Sequence, residues 1–349
     1  MVIAGAGIIG LSIAIELRKA GATVTVLDRG EPGCEASSAA AGMLVTGDPD
    51  LGTPMRELAE ASAALYPSFA GELELRSGMH SDLEAHGALY VAAESECLDS
   101  PAVCASELAK QEPGLAQHPR VHFLSEQSIN PALLTRAAIE AAKRLGVTVH
   151  HEAQIEAVTL TREHLIGVRT SQIPYETATF VNCSGAWASQ IAGAAAPTRP
   201  RKGQMLSVVP RDCKLRHVIR SHEVYLVPRK DGRVIIGATV EDCGFSKTIE
   251  SSKIQQLHQT AANLVPSIAE AKILDAWAGL RPGSPDDLPI MGAGHLPGTY
   301  VATGHFRNGI LLAPITAVLL AELIQGKKPR LDLCAFSPSR FVPAQALAG

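Results

Sequence analysis

Two stretches of this chain bring together residue types that can do chemistry. The first is VIAGAGIIG, where Gly5, Gly7 and Gly10 follow an apolar, β-branched start, and Asp28 closes a later apolar run, TVTVL, eighteen residues beyond Gly10. The second is GHFRNGILLAP, residues 304–314, which sets a cation, Arg307, and two glycines ahead of an apolar run. At the first spacing Gly5 permits a tight turn, Gly7 lets backbone approach a pyrophosphate, and Gly10 lets a helix pack closely on a sheet. The pyrophosphate then sits on the helix N-terminus. A carboxylate at Asp28 accepts hydrogen bonds from an adenosine ribose and disfavours a 2′-phosphate, despite the adjoining Arg29.

These residues act together only if elements hold them. Ile9, Ile13, Leu17 and Ala20 recur at helical spacing after Ile8 until Gly21, and residues 22–27 read as a strand. Strand, helix, strand and acid in register predict a dinucleotide site. Three strand residues ahead of Gly5, where a strand of about five or six is usual, raise the expectation of a trimmed start. A second glycine run, GAGHLPG at 292–298, lies between LPIM and TYVAT and contains Pro297. It reads as a turn between strands, so one nucleotide site is expected.

Residues 37–42 are small, which fits backbone lying close to an extended ligand or a loop packed on the first helix; residues 54–75 read as a long amphipathic helix. Asn130 as N-cap, Pro131 at the first helical position and Gly146 as terminator bound a further helix, and the strand VTVHH follows. EAVTL and ATFVNC lead to a second strand-glycine-helix junction at residues 183–187, expected near the first. From 203 to 279 closely spaced strands (QMLSVVP, HVIR, VYLVPR, RVIIGAT, KILDAWAG) are interrupted by a helix at 252–265, which predicts a mainly antiparallel sheet. The chain returns through LPIM and TYVAT to a helix over 309–325. The fold class is therefore α/β, a Rossmann-like nucleotide domain with an inserted α+β domain.

Composition narrows the function. At 349 residues with 46% hydrophobic and 19% charged residues, the chain reads as globular and large enough for two interleaved domains. A net charge of −4, with no run of Lys and Arg longer than pairs such as Lys327-Lys328, argues against nucleic acid. Seven cysteines (Cys34, Cys97, Cys104, Cys183, Cys213, Cys243, Cys334), odd in number and never in C-x-x-C spacing, argue against a disulfide framework or a metal site. The most apolar window, 309–324, contains Pro314 and Glu322 and is too short to span a bilayer. A soluble, cytoplasmic protein with no membrane or metal is expected.

Taken together, GAGIIG with Asp28, SAAAGML (38–44), INPALLTRA (129–137), VNCSGAWAS (181–189), VYLVPRKDGRVIIGATVE (224–241), GLRPGSPDDLPIMG (279–292) and GHFRNGILLAP resemble the D-amino acid oxidase-like flavoprotein family, most closely its glycine oxidase branch of thiamine biosynthesis. The segments run from Gly5 to Pro314. The resemblance implies non-covalent FAD, since no cysteine lies between Cys243 and Cys334 to attach it. It implies a discontinuous FAD-binding domain over 1–80, 130–200 and 280–349, and a substrate-binding domain over 81–129 and 201–279. It also implies oxidative deamination of a small amino acid to an imine, with O2 reoxidising the flavin to give H2O2, and transfer of the imine to thiazole synthase. A homo-oligomer is expected, a tetramer being one option.

The resemblance assigns roles to residues. Arg281, read at the end of the strand AWAGL, matches the carboxylate-binding Arg, whose planar fork holds a carboxylate in bidentate fashion. The alternative is a surface pair with Asp286 or Asp287. Tyr225 matches a second carboxylate contact; Glu223, two residues before it, stands where relatives commonly have His. Met43 and Val240 match the walls of a small-substrate pocket, favouring glycine, sarcosine or D-alanine over bulky substrates. Arg307 contributes its backbone carbonyl to the substrate amine, and His305 is structural or loop-lining. The cofactor-lining set is Gly5, Gly7, Ile8, Ile9, Gly10, Asp28, Arg29, Ala40, Ala41, Gly42, Met43, Leu44, Ile155, Cys183, Ser184, Gly185, Trp187, Arg281, His305, Phe306, Arg307, Asn308, Gly309, Ile310 and Leu311. Of these, residues 308–311 offer N–H groups and a positive helix end to the flavin pyrimidine ring. Three other readings compete: a dehydrogenase passing electrons to a quinone, a flavin domain of a tRNA-modifying enzyme, and a non-catalytic flavin-binding protein.

Overall fold

The computed structural model describes residues 1–48, 51–96, 98, 101–162, 164–211 and 214–341; Cys97 and Cys213 lie outside them. In chain order the elements are β1 (Val2–Ala4), α1 (Ile8–Lys19), β2 (Thr25–Leu27), α2 (Ala36–Ala39), β3 (Met43–Leu44), α3 (Thr53–Ser77), β4 (Ala88–Val91), α4 (Ala105–Gln111), β5 (Val121–Leu124), β6 (Gln127–Ser128), α5 (Pro131–Arg144) and β7 (Thr148–His150). They continue with β8 (Ile155–Thr161), β9 (His164–Thr170), β10 (Tyr175–Glu176), β11 (Phe180–Asn182), β12 (Arg199–Val208), β13 (Val218–Arg220), β14 (Tyr225–Pro228), β15 (Val234–Gly237), α6 (Ser251–Leu264), β16 (Ile273–Gly283), β17 (Ile290–Ala293), β18 (Thr299–Thr303) and α7 (Gly309–Ile324).

The apolar β1 sits inside a six-stranded sheet of order β17-β18-β11-β1-β2-β7, parallel except for the edge strand β17. Alternation sends Ile3 and Val26 into a core shared with α1, α3, α5 and α7, and Val2, Ala4 and Leu27 toward β8 and β9 on the other face. A sheet covered on both faces needs such continuous apolar strands. The helix signals act as read: Asn130 Oδ1 accepts from Leu133 N at 3.4 Å, and Gly146 takes φ 84°.

The second sheet has seven strands in the order β16-β12-β15-β14-β13-β4-β5, antiparallel except where β13 runs beside β4. Leu206, Leu226 and Ile236 face α6, while Val227 and Ile235 join Ala41, with Tyr225, Met43 and Trp277 packed around them. This period-two alternation gives the sheet one face for its own core and one for the functional site.

Several expectations need correction. Residues 36–39, overlapping the stretch 37–42 read as extended backbone or a loop, form α2. The EAVTL strand does not lead directly to the glycine turn, because β8, β9 and β10 form a separate antiparallel meander that closes one face of the parallel sheet. Strands β12 and β16 pair from Arg199↔Gly283 onward, so both run across the boundaries expected near 200 and 280. Arg281 therefore lies inside β16 rather than at a strand end. Pro282 is tolerated because β16 is an edge strand, and Pro200 because it lies beyond the end of β15. Among the described residues no helix is long and apolar enough to cross a membrane.

Candidate active site

A continuous cavity of about 700 Å³ runs from Asp28, Arg29 and Trp187 past Gly5 and Gly7 to Tyr225, Arg281 and the start of α7. At its nucleotide end Gly5 and Gly10 each answer a steric demand. A Cβ on Gly5, whose φ is 95°, would stand 2.5 Å from Cys183 O, so the two strand-glycine-helix junctions abut as expected. A Cβ on Gly10 would meet Gly5 O at 2.1 Å, which fixes the closeness of α1 to β1. Both Asp28 oxygens accept backbone donors, from Ala6 N at 2.7 Å and Gly30 N at 2.9 Å. Burial pushes the Asp28 carboxyl up from its usual range against these bonds. The α1 N-terminus is met by Ser37 Oγ, which accepts from Ile8 N at 2.9 Å. Arg29 lies 4.3 Å over the Trp187 ring, and Phe245 stacks on the same ring.

The opposite end is cationic. Arg281 lies flat on Gly203, where a Cβ would stand 2.2 Å from its Nη1, and that nitrogen donates to Thr239 O at 3.0 Å. Beside it Tyr225 passes over Gly237, whose Cβ would come within 2.5 Å of the phenol oxygen. Burial pushes the Tyr225 phenol up, opposed by Arg281, Arg307 and Arg229. Burial likewise lowers Arg281. Asp286 pairs with Arg340 at 2.8 Å and Asp287 lies 3.7 Å from Arg201, so neither neutralises Arg281, and the surface-pair alternative fails. Among the described residues neither Arg281 nor Arg307 has a carboxylate at ion-pair distance. Arg281 is half-buried and Arg307 exposed, so this end of the cavity carries positive charge with no carboxylate beside it.

The GHFRNGILLAP loop reaches this end because Phe306 N donates to Pro282 O at 2.9 Å and Gly283 bridges to His305, tying the loop to β16. His305 is buried against Thr316 Oγ1 at 3.0 Å, and burial lowers its pKa to about 3, so it is a neutral structural group. Pro314 removes the N–H that Ile310 O would otherwise accept. The Tyr66 phenol donates to Ile310 O instead at 2.5 Å, and Ser62 Oγ donates to Leu311 O at 2.6 Å, so α3 serves the carbonyls of the first turns of α7.

Most of the expected residues line this cavity; Gly10, Leu44 and Leu311 do not. Gly10 acts in helix packing, while the Leu44 and Leu311 side chains are buried in the core with α1 and α3, which leaves Leu311 only its backbone to offer. Val240, expected as a pocket wall, is 36% exposed and forms rim, as does the exposed Glu223. The sequence reading missed Gly203 and Gly237, although an isolated glycine in a strand pattern signals close approach. It also missed Arg229, which donates to Ala41 O at 2.6 Å and Ile129 O at 3.1 Å, and Trp277, whose Nε1 donates to Ala39 O at 3.0 Å. Partners far apart in the chain left no local signal for these two.

Residues 1–323 match the family described as FAD dependent oxidoreductase (DAO). The chain belongs to that family. It is similar to the bifunctional protein ThiO/ThiG of Trichormus variabilis, 37% identical over 360 residues, covering 98% of this chain and 55% of that protein, so the chain spans about half of that relative's length. It is 31% identical to the hydrogen cyanide synthase subunit HcnC of Pseudomonas aeruginosa, covering 99% of this chain and 97% of that one. The crystal structure of glycine oxidase from Geobacillus kaustophilus superposes with a TM-score of 0.92 at 30% identity, covering 98% of each chain.

FAD is the cofactor of the DAO family, and the residues present fit it. Gly5 and Gly7 leave bare backbone beside the α1 N-terminus, Asp28 presents an acceptor at the adenosine end, and residues 308–310 bring the α7 N-terminus to the cavity wall. These are the groups that would hold the diphosphate, the ribose and the flavin ring.

Proposed function

We propose that the protein oxidises the CH–NH bond of a small amino acid such as glycine, sarcosine or D-alanine. The observation that carries this reading is the pairing of Arg281 and Tyr225 on one cavity wall with no carboxylate partner for the arginine. Arg281 holds the substrate carboxylate through its planar fork and Tyr225 donates to it, which fixes the orientation of Cα. The Arg307 carbonyl accepts from the amine, and Met43 with the rim residue Val240 limits side-chain size. Bound FAD supplies the acceptor of two electrons. The balance is loss of two electrons and two protons from substrate to give the imine, uptake by O2 to give H2O2, and hydrolysis of the imine to a 2-oxo acid and an amine.

Similarity to one half of a ThiO/ThiG protein supports a place beside a second activity, which the family resemblance makes thiazole formation for thiamine. The test is peroxide release by the purified flavoprotein with glycine, sarcosine, D-alanine and D-proline. Turnover with at least one is expected. Anaerobic bleaching of the flavin without aerobic peroxide would replace the oxidase with a dehydrogenase, and absence of both with every substrate would end the reading.

A further inference from the structure

Behind the carboxylate anchor lies a polar network that the proposed reaction does not itself use. Thr239 is flanked by Ala238 and Val240, which line the cavity, but Thr239 does not line it. Its carbonyl accepts from Arg281 Nη1 at 3.0 Å, and its hydroxyl donates to Glu241 Oε1 at 2.5 Å and accepts from Gln204 N at 2.8 Å. Glu241 also accepts from Gln204 Nε2 at 2.8 Å, Lys253 Nζ at 2.7 Å and Lys202 Nζ at 3.0 Å. The Lys202 side chain is 2% exposed and further donates to Thr248 O at 3.0 Å, so the network runs from a buried lysine out to the partly exposed Lys253. Burial pushes Glu241 up, but the bonds from Lys253, Thr239, Gln204 and Lys202 outweigh it and hold the carboxyl well below the usual carboxylate range.

We infer that Glu241, acting through Thr239, positions the Arg281 guanidinium and thereby sets the affinity of the site for a substrate carboxylate. Arg281 lies on bare Gly203, so no side chain beneath it fixes its direction. The Thr239 carbonyl accepts from it on one side and the Tyr225 phenol bonds it on another, and Thr239 itself is anchored through its hydroxyl, which is tied to the Glu241 carboxylate. Both residues are positioning residues, since neither touches the cavity.

The inference rests on the reading of Arg281 as the carboxylate anchor, and the test separates the two. Acetate is titrated against the FAD-loaded protein, with binding read from the flavin absorbance change, and KM and kcat are measured in parallel. Thr239→Val, which keeps the volume and removes the hydroxyl, is expected to weaken acetate and raise KM by about five-fold or more, with flavin content intact and kcat changed by less than about two-fold. Glu241→Gln should act in the same direction, and Thr239→Ser should restore wild-type binding. Acetate affinity and KM unchanged in both Thr239→Val and Glu241→Gln, with Arg281→Met weakening both, would overturn this inference alone. Unchanged acetate affinity in Arg281→Met would overturn the anchor, and the inference with it.

Discussion

At the scale of single residues, the proposed function makes the site depend on an arginine whose geometry matters as much as its charge. Lysine at 281 would keep the cation but lose the planar fork that lies on Gly203 and reaches Thr239. Arg281→Lys is expected to retain FAD while kcat/KM falls about 100-fold or more, measured on the substrate that gives peroxide. A second prediction concerns His305. Its folded pKa, about 3, lies below the ordinary 6.5, so the unfolded chain takes up a proton first as pH falls. The stability it contributes is complete above about pH 6.5 and is lost progressively toward about pH 3, on the order of 2 kcal/mol by pH 5. Denaturant unfolding of the wild type and of His305→Asn at pH 7 and pH 5 should show the wild type losing more stability on acidification.

Among elements, the critical contact is α3 against α7. Pro314 would leave the Ile310 carbonyl buried and unpaired in the turn that lines the cavity, and Tyr66 prevents this. Tyr66→Phe is expected to cost about 1–3 kcal/mol in unfolding free energy and to weaken FAD retention, because the freed carbonyl has no water to turn to. Equal stability and flavin affinity in this variant would show that the start of α7 is held by packing alone. The helices themselves were legible: Asn130, Pro131 and Gly146 mark α5 by local chemistry, and the apolar run after Gly309 marks α7. That α3 supplies the missing donor was not legible, since Tyr66 and Ile310 are 244 positions apart.

For the whole molecule, the seven-stranded sheet and the cavity-lining loop at Ala41 are coupled by Arg229, which reaches from the end of β14 to the carbonyls of Ala41 and Ile129. Burial lowers its pKa to about 10, still far above neutrality, so it remains a cation at working pH. Arg229→Met removes both donors and is expected to raise the FAD dissociation constant about ten-fold or more, read by fluorescence titration of stripped protein. The same stripping should lower the melting temperature of the wild type, and added FAD at about 100 times its dissociation constant should restore about 2.7 kcal/mol of stability. A stripped protein that melts like the loaded one would mean that the cofactor binds without drawing the cavity walls together.

What the sequence by itself determined is local in cause: the glycine spacing with Asp28, the capped helices, and the strands whose alternation marks two sheets. Each is set by backbone sterics and hydrophobic period within a short window, so it can be read without knowing the fold. The tertiary structure alone decided which long-range groups complete the site. It laid Arg281 inside β16 on Gly203, moved Val240 to the rim, buried Leu44 and Leu311, and brought Arg229 and Tyr66 to carbonyls distant in sequence. Those contacts follow from how strands pair and layers close. A buried donor finds its acceptor through that packing, and no spacing along the chain encodes it.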